Sequence, residues 1–207
     1  MITALLLLAG AYAVGSLSFG LWLARTQGVD LRTTGSRNVG ATNVLRTVGR
    51  LFAAVVLVLD AAKGALAVVV ARIVTDESWL VVGCAAAVVA GHVWPVWTGF
   101  RGGKGVATLA GAYGVLAPVP VMWSGVLFVF VVAISRYVSL ASIVAAAALP
   151  IGTLLLDGRP STTLGAFGLA ALVVWRHGPN IARLIAGNES RVGRRIVARR
   201  RRGPFVA

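Results

Sequence analysis

The sequence predicts an all-α polytopic integral membrane protein: seven transmembrane helices, N-terminus outside, C-terminus cytoplasmic, and a short interfacial helix near residues 179–187. Three observations carry that expectation. Of 207 residues, 58% are hydrophobic and only six are acidic, and the mean hydropathy is +0.87, far from the composition of a soluble domain. Apolar runs long enough to cross a bilayer recur along the chain. The 20 basic residues gather in alternate connecting segments, as the positive-inside rule requires of cytoplasmic loops.

The first apolar run, Ile2 to Ala24, has no basic stretch ahead of it and leads straight into polar motif sequence, so it reads as a retained span rather than a cleaved signal. Further runs lie at 51–71, 79–97, 139–156 and 161–175. The stretch from Val106 to Ile134 contains Pro118 and Pro120, and locally it fits either two helices meeting at the prolines or one long kinked helix. Charge decides between them. The loop from Arg25 to Arg50 carries five Arg against Asp30, and the tail from Arg176 carries nine Arg against Glu189. Both belong in the cytoplasm, so an even number of spans separates them and the ambiguous stretch crosses twice. Arg101, Lys104 and Arg136 then fall inside, leaving Arg72, Asp76, Glu77, Asp157 and Arg159 outside. The last span is short for a hydrocarbon core of about 30 Å and calls for local thinning or extension. The chain reads as one membrane domain over 1–207, with cytoplasmic motif segments at 25–50, 98–105, 135–139 and 176–207.

A net charge of +14 raises nucleic acid as a partner. The arginines flank apolar runs instead of forming a soluble basic face, so anionic membrane lipids are expected and nucleic acid is not. Cys84 stands alone in an apolar run, where a thiol packs as a small hydrophobe. No His, Cys, Asp and Glu cluster has metal-ligand spacing, and no metal or other cofactor is expected.

Three segments on the expected cytoplasmic side carry chemistry. The first, Gly35 to Asn43, is followed by Arg46. Its glycines let backbone approach an anion, Ser36, Asn38, Thr42 and Asn43 offer neutral hydrogen-bonding groups, and Arg46 can grip an oxyanion with two donors. An ordinary polar turn between spans is the alternative. The second runs from Gly91-His92 through Trp94 and Trp97 to Arg101, Gly102, Gly103, Lys104 and Gly105. It lacks the spacing of a nucleotide-binding P-loop, because three residues rather than four precede Gly103-Lys104 and Gly105 follows the lysine. What remains is a glycine turn whose amides, with Lys104 and the next helix start, suit a phosphate; a short basic loop is the alternative. The third, Arg176-His177-Gly178-Pro179-Asn180 to Glu189, has Pro179 at a helix start and the apolar stripe Ile181, Leu184, Ile185. A basic helix resting on lipid would account for Arg183 but leaves His177 and Asn180 without a purpose. Within the second span, Asp60 and Lys63 form an i,i+3 pair, read as architectural beside Gly64, which would admit a close neighbouring helix.

Taken together these segments resemble the bacterial acyl-phosphate-dependent glycerol-3-phosphate acyltransferases, a seven-span inner-membrane family. The resemblance runs from about Gly15 to Glu189 and also includes Leu59-Asp60 with Lys63-Gly64, Val106-Ala107-Thr108 and Ser135 to Ser139. It implies transfer of a fatty acyl group from acyl phosphate to the 1-hydroxyl of glycerol 3-phosphate, giving lysophosphatidic acid and phosphate in phospholipid biosynthesis. It further implies that Ser36 and Arg46 are critical, that Gly102 to Gly105 serve glycerol 3-phosphate, that His177 and Asn180 support activity, and that Glu189 is structural. Functional association with the enzyme that forms acyl phosphate is implied as well. Two positions depart from the family pattern: Arg37 stands where glycine is usual, and Gly178-Pro179 replaces more polar residues.

Acyl phosphate is already activated, so the protein's main task is to hold two anions together and stabilise developing charge. His177 is a candidate base, and a substrate phosphate is another. The His-x4-Asp motif of acyl-CoA-dependent acyltransferases is missing, since Trp97 and Ala182 occupy the positions an aspartate would need. A transporter for a phosphorylated solute is the alternative function; against it, polar groups sit on one face and only Asp60 and Lys63 lie near the midplane.

Overall fold

The computed structural model describes residues 1–193, and every regular element among them is helical. The Arg-rich stretch Arg199 to Arg202 lies outside the described residues. Five helical stretches are long and apolar enough to cross a bilayer: Ile2–Thr26, Arg50–Val74, Ser78–Thr98, Pro118–Ser135 and Val138–Leu156. Val106–Leu116, with 11 residues, and Pro160–Arg176, with 17, are shorter. At about 1.5 Å per residue, neither alone matches a core of about 30 Å.

The first apolar run is one candidate span, Ile2–Thr26, interrupted partway along. It divides into α1 (Ile2–Gly15) and α2 (Phe19–Thr26), with Ser18 at φ −101°, ψ 69°. Ser16 Oγ turns back to Tyr12 O at 2.9 Å, and the break frees Leu17 O to accept from Lys63 Nζ of α4 (Arg50–Val74) at 2.7 Å. A hydrogen bond to an ammonium thus compensates a lost helical one. The loop after α2 leads to the short α3 (Ala41–Thr47).

After α5 (Ser78–Val93), the ambiguous stretch is two helices, α6 (Val106–Leu116) and α7 (Pro118–Ser135), joined at Ala117 with φ −144°, ψ 75°. Pro120 has no N–H to offer Leu116 O. That carbonyl accepts instead from Arg159 Nη2 and, at 3.4 Å, from Arg72 Nη2. α8 (Val138–Leu156), α9 (Pro160–Arg176) and α10 (Gly178–Ile185) follow. Leu116, Arg72, Arg159 and the Pro120–Gly152 contact mark one end of the bundle. Arg176 against Gly103 O and Arg136 against Val192 mark the other, where the three motif segments meet.

The buried interior is largely Ala and Val, so helices approach through small residues. A Cβ on Gly64 would lie 2.1 Å from Thr108 O, one on Gly111 1.9 Å from Ala61 O, and one on Gly15 2.1 Å from Val88 O. Gly64 therefore does let α6 close on α4, as its place beside the Asp60–Lys63 pair suggests.

Candidate active site

The first motif is a loop built around one buried side chain. Asn43, 1% exposed on α3, accepts from Ser36 N at 2.9 Å and directs its amide nitrogen at the carbonyls of Asn38 (2.9 Å), Thr34 (3.0 Å) and Leu31 (3.4 Å). Its amide is fully engaged inside the protein. Asn43 therefore scaffolds the loop while bordering the first cavity described below. Asn38 Oδ1 similarly accepts from Gly40 N at 2.9 Å, although Asn38 also borders the cavities below. Ser36 gives its backbone N–H to Asn43 and borders the same cavities. Arg37 has φ 58°, in the left-handed region that glycine occupies without a Cβ penalty.

Arg46 is 9% exposed and donates through Nη2 to Ser190 O at 3.1 Å. Burial pushes its pKa down against the opposing pull of the Glu189 carboxylate. One guanidinium nitrogen is thus committed, and the fork still borders the first cavity.

The glycine loop is pinned to the end of α5 by two of its amides. Gly102 N donates to Val93 O at 3.2 Å and Gly103 N to His92 O at 3.0 Å, at the end of α5. These two amides are occupied by the protein. Their glycines are needed because a Cβ at Gly102 would lie 2.1 Å from His92 O, and one at Gly103 2.1 Å from His92 Nε2. Gly105, at φ +85°, then caps α6, whose first turn offers free N–H groups beside the cavity-lining Val106 and Ala107. Arg101 is exposed on the rim.

Lys104 donates to Asn180 Oδ1, fixing which way that amide faces. Asn180 Nδ2 donates to Glu189 Oε1 at 2.8 Å, Ser139 Oγ reaches the same oxygen at 2.9 Å, and Arg183 Nε reaches Oε2 at 2.7 Å. Glu189 is 5% exposed. The hydrogen bonds from Asn180, Arg183 and Ser139 hold it ionised with a lowered pKa, overcoming the desolvation that acts against its charge. Burial, with neighbouring arginines, lowers the Lys104 ammonium to about 8. His177 Nδ1 sits 2.7 Å from Val173 O, which assigns the ring proton to Nδ1 and leaves Nε2 as an acceptor. Burial first and the Lys104 charge second lower its pKa to about 4, so the ring is neutral at pH 7.

Two cavities meet on these residues. The first, about 370 Å³, has a polar end at Ser36, Arg46, Lys104, His177 and Asn180 and continues between α6, α7 and α8 past Val121, Gly125, Phe128 and Leu149. The second, about 680 Å³, is lined, among the described residues, by six basic side chains, Arg32, Arg37, Arg101, Lys104, Arg176 and Arg183, and by no acidic one. Ser36, Asn38, Lys104 and Asn180 border both. An apolar slot and a cationic basin thus share a polar junction. Thr42 lines the slot. Sequence reasoning assigned no role to Arg32, nor to Arg176 and Ser139, which lie inside segments it quoted. Among the described residues no three His, Cys, Asp or Glu side chains group as a metal site.

The family profile described as glycerol-3-phosphate acyltransferase matches residues 5–187. The chain belongs to that family. A glycerol-3-phosphate acyltransferase of Desulforamulus reducens is 43% identical over 195 residues, covering 94% of this chain and 98% of the relative. One from Geobacter metallireducens is 49% identical over 192 residues, covering 92% and 98%. Among solved structures, the glycerol 3-phosphate form of PlsY, an integral membrane glycerol 3-phosphate acyltransferase, superposes with a TM-score of 0.89 at 38% identity, covering 92% of this chain and 96% of that one. Its lysophosphatidic acid form gives 0.87 at 37% identity, covering 93% and 96%. The family match therefore takes in the first two motif segments and the third as far as Gly187.

Proposed function

We propose that the chain transfers a fatty acyl group from acyl phosphate to the 1-hydroxyl of glycerol 3-phosphate, releasing phosphate and 1-acyl-glycerol 3-phosphate for phospholipid synthesis. The observation that carries this reading is the shared border of the two cavities. An acyl chain fits the slot between α6, α7 and α8, and a phosphorylated polyol suits a basin with six cations and, among the described residues, no acid. Their reacting ends meet at Ser36, Lys104 and Asn180.

Holding two anions there converts a bimolecular encounter into a local one. Lys104 binds the glycerol 3-phosphate phosphate, Ser36 and Arg46 with the first turn of α6 take the acyl phosphate, and Asn180 orients the hydroxyl. The hydroxyl oxygen attacks the acyl carbon, an ester C–O bond forms, and the acyl C–O bond to phosphate breaks. The hydroxyl proton has two acceptors, His177 Nε2 and a substrate phosphate. With the His177 conjugate acid at about 4 and the second ionisation of a phosphate monoester near pH 6, phosphate is the stronger base. His177 then acts as a neutral hydrogen-bond acceptor that aligns the hydroxyl.

We read the chain as seven spans with the N-terminus outside. Successive helices alternate between the bundle end at Leu116 and the end at Gly103, and the motif end carries the positive charge expected of the cytoplasm. The reaction then sits at the cytoplasmic face of the bacterial inner membrane, where the enzyme forming acyl phosphate can deliver its product. The test incubates purified protein with acyl phosphate and glycerol 3-phosphate and follows phosphate release and lysophospholipid together. Stoichiometric formation of both is expected. Phosphate release independent of glycerol 3-phosphate would mean hydrolysis, and no product with any chain length would return the transporter reading.

A further inference from the structure

Lys63 lies in α4, 3% exposed, behind Asp60 and His92, which border the first cavity, and does more than neutralise Asp60. Its ammonium is 2.8 Å from Asp60 Oδ1, 2.7 Å from Leu17 O and 2.9 Å from His92 Nδ1. The ammonium hydrogen-bonds Leu17 O at the break between α1 and α2 and His92 Nδ1 at the end of α5, and pairs by charge with Asp60 on its own helix. Because an ammonium only donates, Nδ1 of His92 is the acceptor, and its ring proton belongs on Nε2. The Nε2 edge faces Gly103 so closely that an added Cβ would lie 2.1 Å from it. His92 O also accepts from Gly103 N at 3.0 Å. Ring and backbone of one residue thus support the peptide that precedes Lys104.

We propose that Lys63 and His92 are positioning residues for Lys104. Lys63 fixes the rotation of the His92 ring, the ring sets how near Gly103 can settle, and Gly103 determines where the Lys104 ammonium stands relative to Asn180. The inference rests on the reading of Lys104 as the glycerol 3-phosphate contact. It assigns a purpose to an intramembrane charge that the Asp60 pair alone does not explain, since a neutral helix would avoid the desolvation of both groups.

The experiment is a double-substitution cycle on the full chain in lipid nanodiscs, with KM for each substrate, kcat and melting temperature measured. Gly103→Ala drives a methyl into the ring and displaces Lys104, raising KM for glycerol 3-phosphate by roughly ten- to a hundredfold while kcat and KM for acyl phosphate change less. His92→Ala removes the support and raises the same KM. In the His92→Ala background Gly103→Ala has room, so the double variant is no worse than the worse single. His92→Gln, whose amide oxygen can still accept from Lys63, recovers part of the affinity that His92→Ala loses. Lys63→Met reproduces the KM effect if it folds; the cycle stands without it if the unpaired Asp60 prevents folding.

Multiplicative effects in the cycle, or variants that lose melting temperature with KM for glycerol 3-phosphate unchanged, would overturn the positioning role. A wild-type protein that makes no lysophospholipid would instead overturn the reading of Lys104 itself.

Discussion

The Lys104 ammonium donates to the side-chain oxygen of Asn180, joining the loop after α5 to the first turn of α10 across 76 positions of sequence. Both residues border the slot and the basin, so the protonation of one lysine governs the junction. Its pKa of about 8 predicts that kcat/KM for glycerol 3-phosphate falls as pH rises through about 8, because the cation is lost. Lys104→Arg, if active, moves that limb out of the accessible range. Stability follows the opposite trend over the same window. Between about 8 in the folded chain and 10.5 in the unfolded one, the unfolded state binds more protons, so Lys104 makes stability increase with pH. His177, at about 4 against 6.5 unfolded, makes stability decline as pH falls from about 6.5 towards 4. Steady-state kinetics and thermal unfolding across pH 4 to about 10 check both signs.

Ser36 and Asn43 are partners with opposite expected phenotypes. Ser36 uses its backbone N–H to hold the loop, so Ser36→Ala preserves the fold and membrane insertion while turnover drops by roughly 10²–10³-fold, the cost of one lost oxyanion donor. Asn43→Ala leaves Ser36 N without its acceptor and three carbonyls without a donor. A loss of at least about 1–3 kcal/mol is expected there. Melting temperature separates them: unchanged for Ser36→Ala, lowered for Asn43→Ala.

Much of this arrangement was legible in the sequence. Apolar runs placed the helices, and loop charge resolved the stretch from Val106 to Ile134 into two helices meeting at Pro118 and Pro120. The break at Ser16 to Ser18 was hidden, since it lies in apolar sequence and depends on Lys63 reaching Leu17 O from another helix. The three motif segments suggested the site, yet composition could not show that Gly102 and Gly103 spend their amides on α5. Nor could it show that Asn43 is an internal scaffold. Glycine serves anion binding and close packing equally well in one dimension, and only the His92 contact distinguishes them. Glu189 was expected to be structural; it accepts from Ser139, Asn180 and Arg183 and also borders the slot, a convergence that sequence spacing could not show.

Gly64 tests the packing directly. A methyl there would stand 2.1 Å from Thr108 O and 3.0 Å from Ala112 N on α6, backbone atoms that cannot rotate away. Gly64→Ala should destabilise by about 1–3 kcal/mol through separation of α4 and α6. Gly114→Ala, whose Cβ would meet nothing within 4 Å, serves as the matched control and should melt at or above the wild-type temperature.

Arg37 sets loop strain against charge. Its φ of 58° costs an L-residue roughly 1–2 kcal/mol that glycine would not incur, yet its side chain borders the cationic basin. Arg37→Gly should raise the melting temperature, consistent with about 1 kcal/mol of relieved strain, and raise KM for glycerol 3-phosphate as the basin loses one of six cations. The KM difference should shrink with added salt, because an exposed charge acts through a screened field. A KM unchanged at low ionic strength would show that Arg37 contributes nothing to substrate capture.

Gly125 addresses chain length. The slot borders α8 from Val138 to Leu149, a rise of about 16 Å at 1.5 Å per residue, and Gly125 faces it from α7 with open space where a Cβ would stand. An acyl chain arriving from lipid is already in an apolar medium, so transfer free energy discriminates little between donors; steric fit must do so. Gly125→Phe would place a ring in the slot without disturbing the polar junction. Overpacking costs about 1–3 kcal/mol, so kcat/KM for donors long enough to reach that depth should fall roughly ten- to a hundredfold. Short donors should be turned over as in the wild type. Measuring kcat/KM over a series of acyl phosphates decides the matter: a uniform loss at every length would mean that the ring perturbs α7 as a whole, and no change at any length would place the acyl chain elsewhere.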